Sequence, residues 1–242
     1  MRTLHSSSLR QHAARSAASA LITLAALALS ACAGHHHLGE YAFAERSMAV
    51  VVLSSPAPGL LTSGYDLRAD DDPVTAVLRT GTTAARNVEA HRARARLDSA
   101  TARVGPTGDL AQRTLQRASR YLGTRPVNSA DDADFLLEVR MKSFGLDARG
   151  ASSAYLYTNA EAVLLDRRSG REIWNTSVHG TDRLTPHVRG AADVPGAGAI
   201  ITAASLASMS VADFQDALQQ LAQLSSNVVA DELRSALRDV RK

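Results

Sequence analysis

The sequence predicts an α+β fold: an antiparallel sheet of about four strands, helices packed on one face, and a long C-terminal helix. Three observations carry this. Phe135, Leu137, Val139 and Met141 alternate with Glu138, Arg140 and Lys142, the period-two pattern of a half-buried strand. Val211, Phe214, Leu218, Leu221, Leu224 and Val228 recur at helical spacing near the end of the chain. Glycine and proline clusters punctuate the chain between such segments.

The first 31 residues read as an export signal. Arg2, Arg10 and Arg15 form a basic start without acidic residues, an apolar run from Ala17 to Leu29 follows, and Ser30 and Ala31 are small. That run is shorter than the roughly 20 residues of a spanning helix. Leu29-Ser30-Ala31-Cys32 resembles the lipobox of bacterial lipoproteins. The resemblance implies cleavage between Ala31 and Cys32, palmitate-type acylation of Cys32, and attachment to a membrane through its acyl chains. Ala33, which is not Asp, implies the outer membrane in a two-membrane cell. An ordinary signal peptide with an incidental cysteine is the alternative. Cys32 is the only cysteine, so the chain forms no intrachain disulfide. Several acyl chains hold where one binds reversibly.

The formal charge of +3 belongs to this leader. Taking its three Arg from the 27 basic residues leaves 24, equal to the 24 acidic ones. No basic surplus remains to favour a nucleic-acid partner. About 210 residues remain after the leader, enough for one domain. Residues 32–46 read as the lipidated N-terminus and a tether, and 47–242 as a single α+β domain facing the periplasm. Such a tether spans roughly 20 Å as a flexible coil. His35, His36 and His37 are adjacent and lack the spacing of a metal site.

Met48 to Leu53 is a β-branched run expected to be a strand buried on both faces, followed by a loop to Asp72. Asp70, Asp71 and Asp72 are candidate calcium ligands, but Asp72 before Pro73 fits a helix N-cap better. The helix runs from Pro73 to about Ala100, with Val74, Val77, Leu78, Gly81, Ala85 and Val88 as its expected core stripe. Arg92, Arg94 and Arg96 spread around it and read as solvated, or as a patch for an acidic partner. A second helix has Asp109 near its start and ends at Gly123. Strands follow over Phe135–Lys142, Tyr155–Leu165 and Glu172–Arg183, with a turn at Asp166–Gly170; together they read as an antiparallel meander. Residues 184–197 read as a mobile loop. Ser225-Ser226-Asn227 is expected to kink or divide the last helix.

No catalytic motif is present: no G-x-S-x-G, no H-E-x-x-H, no phosphate-binding glycine loop with lysine. His179, Asp182 and His187 are candidates for a metal or acid–base group that nothing in the sequence brings together. Glu138 and Glu161 sit on strand faces expected to meet water, where paired-carboxylate catalysis has no cleft. No cofactor and no enzymatic activity are expected.

From about Leu110 onward the chain resembles the ABC-type transport auxiliary lipoproteins. The resemblance rests on Ala133-Asp134-Phe135-Leu136-Leu137-Glu138-Val139, on Ala162 to Asp166 with Ser169-Gly170-Arg171, and on Leu218 to Ala222 leading into Ala230 to Leu233. Curli-secretion lipoproteins share these features. Tyr41 and Phe43 are the nearest candidates for the aromatic strand those auxiliaries carry after the anchor. The resemblance implies a non-enzymatic adaptor or accessory subunit in transport or assembly between the membranes, with an envelope protein as partner. The alternatives are an oligomeric secretion-channel or structural lipoprotein, with contacts through 73–100 and the C-terminal helix, and a periplasmic hydrolase.

Overall fold

The computed structural model describes residues 37–54, 56–62, 72–150, 152–185 and 196–240. The proposed signal, Ala31, Cys32, His35, His36, Asp70, Asp71, His187 and most of the expected 184–197 loop lie outside them. In chain order the elements are β1 (Ser47–Ser54), β2 (Gly59–Thr62), α1 (Pro73–Val104), α2 (Pro106–Leu122), β3 (Arg125–Pro126), β4 (Phe135–Ala148), β5 (Tyr155–Asp166), β6 (Glu172–Arg183), α3 (Ala197–Ser208) and α4 (Val211–Val240).

The α+β architecture and the long C-terminal helix follow the expectation. The meander β4–β5–β6 is antiparallel. The sheet is wider than expected, however, and mixed. Its order is β3-β1-β4-β5-β6, with β2 also on β4, and β1, β2 and β3 pair in parallel. β1 and β2 form one interrupted edge. Ser54 pairs with Arg140 and Gly59 with Gly145, so both chains advance five residues across the gap. Pro56 and Pro58 lie in that gap, and neither has an N–H to give the ladder. The expected loop after β1 therefore contains a strand. β2 approaches β4 so closely that a Cβ on Gly145 (φ 156°) would overlap the Gly59 backbone.

β1 is buried at Ser47, Met48 and Ala49, but Val52 and Leu53 are exposed. The expectation of burial on both faces thus holds only in the first part of the strand, where β3 pairs with Ser47 and Met48 and Ala49 follows buried. One face of the meander supplies the core: Phe135, Leu137, Val139, Met141, Leu156, Ala160, Ala162, Leu164, Trp174 and Val178. Against it pack α2, through Leu110, Ala111, Leu115 and Ala118, and α4, through Phe214, Leu218, Leu221, Val229 and Leu233. At roughly 25 cal/mol per Å² of apolar surface removed from water, this layer contact is the dominant stabilising term.

The helix boundaries have local causes. The Asp72 carboxylate accepts from Val74 N (3.0 Å) and Thr75 N (3.1 Å), the N-cap expected before Pro73. Gly105 and Gly123 close α1 and α2 in the left-handed region, at φ 60° and 71°. Between α3 and α4 the chain turns by 103°. Ser210 and Asp213 make a reciprocal cap there: Ser210 N donates to Asp213 Oδ2 (2.7 Å) and Asp213 N to Ser210 Oγ (3.2 Å). The expected division at Ser225-Ser226-Asn227 does not occur, and α4 is one helix through it. Ser225 and Ser226 are buried, and Ser225 lies over Gly180 of β6, where the missing side chain lets the helix approach.

α1 departs most from expectation. Its buried positions are Arg86, Ala90, Ala93, Leu97 and Ala100. The expected core stripe of Val74, Val77, Leu78, Gly81, Ala85 and Val88 is exposed throughout. The buried positions begin at Arg86, with Thr82 before them close to Gly196, and the alanines of the second half let the helix lie close. Arg86 donates to the Gly150 carbonyl (3.0 Å), and burial lowers its pKa. Among the described residues no single helix is long and apolar enough to cross a membrane.

Candidate functional site

The segment expected to be a loose tether packs from His37 onward, ten residues before the expected domain start at 47. His37 N donates to the Ile173 carbonyl (2.7 Å), and Glu45 N to the Gly123 carbonyl (3.0 Å). Leu38 and Phe43 are buried. Tyr41 and Phe43 form no strand; they close an aromatic cluster on Phe135, with ring centroids 6.0 and 4.9 Å from it. The spacing of these aromatics in the sequence holds no hint of that partner, which lies about ninety residues on.

This docking encloses a cleft of about 380 Å³ at the start of β4, lined by Glu40, Tyr41, Arg46, Asp134, Asp166 and Arg167 among others. Its carboxylates are committed. Asp134 accepts from Ser47 N (2.9 Å), Ser47 Oγ (2.9 Å) and Arg46 (3.2 Å). The Ser47 N–H foremost holds its pKa below the usual carboxylate range. Asp166 accepts from Ser169 Oγ (2.8 Å) and Arg168 N (3.0 Å), and the Ser169 hydroxyl lowers it. Glu40 pairs with His37 (2.7 Å) and Arg171 (2.8 Å), and is lowered first by His37. A general acid needs the opposite, a carboxyl whose pKa is raised toward neutrality. The cleft offers ionised carboxylates beside arginines. It presents a polar, zwitterionic surface.

The other candidates stay apart. His179 is exposed, and its ring Nδ1 lies 2.7 Å from Asn159 Oδ1. Asp182 is three residues along the same strand, hence on the opposite face. Glu138 pairs with Arg140 (2.6 Å) and Glu161 with Lys142 (3.1 Å), on the sheet face away from the helices and outside the cleft. Among the described residues no group of three or more His, Cys, Asp or Glu is placed to hold a metal. The three arginines of α1 disperse: Arg92 pairs with Glu89, Arg94 donates to the Pro58 carbonyl (3.1 Å), and Arg96 to the Leu206 carbonyl (2.7 Å). Two of them thus complete the backbone hydrogen bonding of neighbouring segments. Sequence reasoning missed the cleft because its walls come from three separate stretches, 40–46, 133–135 and 166–168; the one local signal was Ala133-Asp134-Phe135 ahead of an alternating strand.

No protein-family model matches the chain, and no curated protein matches it. Among solved structures, it is similar to protein XCC0632 from Xanthomonas campestris (12% identity, TM-score 0.37, covering 83% of this chain and 90% of that one). It is also similar to the lipoprotein GNA1162 from Neisseria meningitidis (13%, 0.27, 60% and 88%). A third similarity is to the PelC dodecamer from Paraburkholderia phytofirmans (10%, 0.26, 69% and 89%). Scores this low mark partial overlap of sheet and helices and carry no functional information.

Proposed function

We propose that this chain is a lipid-anchored, non-enzymatic envelope protein. It is held by Cys32 to the outer membrane, faces the periplasm, and serves as an adaptor or accessory subunit in transport or assembly. The observation that carries this reading is the docked N-terminal segment. The chain just after Cys32 is fixed to the domain by a backbone hydrogen bond at His37 and by the buried Leu38 and Phe43. An anchor attached there holds a defined face toward the membrane, which an adaptor needs and a freely diffusing enzyme does not. The ionised, hydrogen-bonded carboxylates of the cleft favour binding over hydrolysis. The specific kinship with ABC-type auxiliaries or curli-secretion lipoproteins belongs to this proposal.

Two measurements test it in a two-membrane bacterium. Alkyne-palmitate should label the parent chain and not Cys32→Ser, and label in both removes the anchor. Purification from crosslinked envelopes should then recover transport or assembly components; recovery of bulk lipoproteins alone counts against the adaptor role.

A further inference from the structure

The exposed stripe of α1 is apolar where a solvent-facing stripe is ordinarily polar. Val74, Val77, Leu78 and Val88 are 69%, 72%, 50% and 49% exposed, and Gly81 and Ala85 lie on the same line. Past Val88 the line turns polar, through Arg92 and Ser99. A contiguous apolar patch of this kind marks an interaction surface. The fold has no use for Gly81, because a Cβ there meets nothing within 4 Å. Yet a glycine inside a helix costs about 1 kcal/mol relative to alanine.

The stripe is complementary to itself. Laid antiparallel on a second copy with the two Gly81 residues facing, Val74 meets Val88, Val77 meets Ala85, and Leu78 meets Ala84. Every pairing is reciprocal, as a twofold contact requires. Next to the centre large residues meet small ones, with Val74 and Val88 meeting at each end, and the centre is the smallest residue, so the backbones can approach. The ends match in charge. Glu89 falls opposite Pro73, at the positive N-terminus of the other helix, and Arg92 lies a turn beyond, toward Asp72.

We propose that a second copy of this chain docks on the Val74–Val88 stripe, forming an antiparallel helix pair centred on Gly81. Residues 73–89 span roughly 25 Å at 1.5 Å per residue. One such helix pair buries less than the roughly 800 Å² per partner of standard interfaces. The contact is therefore weak in dilute solution and strengthened when copies are concentrated together. A bilayer is the poorer occupant. The stripe belongs to the end of the sheet where Arg86 meets Gly150, whereas His37–Ser47 lies at the start of β4. The fourteen residues of β4 separate the two by about 45 Å.

The test is disulfide trapping of the full-length chain in the cell envelope. The parent, whose sole cysteine is Cys32, and Ser99→Cys, exposed beyond the apolar part, are the controls. On mild oxidation Gly81→Cys should give a disulfide dimer on non-reducing gels. Co-expressed Val74→Cys and Val88→Cys should give a mixed dimer, whereas Val88→Cys alone should not. Adding Leu78→Asp to Gly81→Cys should lower the dimer yield about tenfold, because it buries a charge on each side of the axis. The proposal is overturned if Gly81→Cys traps no more dimer than Ser99→Cys, the result expected if lipid or an unrelated protein covers the stripe. A yield unchanged by Leu78→Asp overturns it too. Val88→Cys dimers that equal the mixed ones overturn the antiparallel register.

Discussion

α1 and α4 are nearly equal in length, 32 and 30 residues, and both carry an apolar stripe at helical spacing. Their fates differ. The α4 stripe is buried at Phe214, Leu218 and Leu221 and continues in shifted phase through Val229 and Leu233, against β6, β5 and α2, while Leu224 and Val228 are exposed. The α1 stripe faces outward, and the helix is held by alanines on its other side. Periodicity says that a face is suited to burial. It does not say whether the covering partner is the rest of the same chain.

The comparison can be broken by substitution. The largest effect is expected for Phe214→Ala, which empties a fully buried site and should cost about 3–5 kcal/mol in urea unfolding; Val77→Ala should change stability by less than about 0.5 kcal/mol. Equal costs would mean that the α1 stripe is covered within the chain. Two glycines sharpen the contrast by sign. Gly180→Ala presses a methyl group onto Ser225 and Leu221 of α4 and should destabilise by about 1–3 kcal/mol. Gly81→Ala places a methyl in open space on α1 and should stabilise the unpaired chain by up to about 1 kcal/mol. Destabilisation by the second would remove the assignment of Gly81 to an intermolecular contact.

The smallest effect concerns the caps. Hydrogen bonds lower the pKa of Asp72, chiefly from the Thr75 hydroxyl, and of Asp213, chiefly from Ser210 N–H. A carboxylate depressed in the folded state gives its full stabilisation above the ordinary value of 3.8, and loses it as pH falls through the folded value. α4 has buried Phe214 beside its cap, whereas nothing buried lies within three turns of Asp72. Acidification below pH 3.8 should therefore lower amide protection factors at Val77 and Leu78 more than at Ala217 and Leu218. Parallel losses would show that the start of α1 is as firmly held as that of α4.

Much of the fold was legible in local chemistry. The alternation from Phe135, the Asp72-Pro73 start and the glycine ends at Gly105 and Gly123 are signals that a few residues suffice to write. What stayed hidden depends on distant partners. β2 has only four residues and lies behind two prolines, so it reads as loop until β4 is present to pair with it. Ser225 and Ser226 look like helix breakers, but Gly180 gives them room to be buried. The cleft was invisible because Tyr41, Phe43 and Arg46 meet Phe135 and Asp134 only after the chain has folded back.

The docked N-terminal segment fixes a height. Five Cα–Cα steps separate Cys32 from His37, at most about 18 Å of fully stretched chain. With Cys32 acylated, as proposed, His37 stays within that distance of the headgroups, and the far end of β4 lies about 45 Å along the strand from its start. The domain then behaves as a post on a short mount rather than a float on a long line. On such a mount it would sweep little volume, and a second copy mounted in the same way would present its own α1 stripe nearby without a long search.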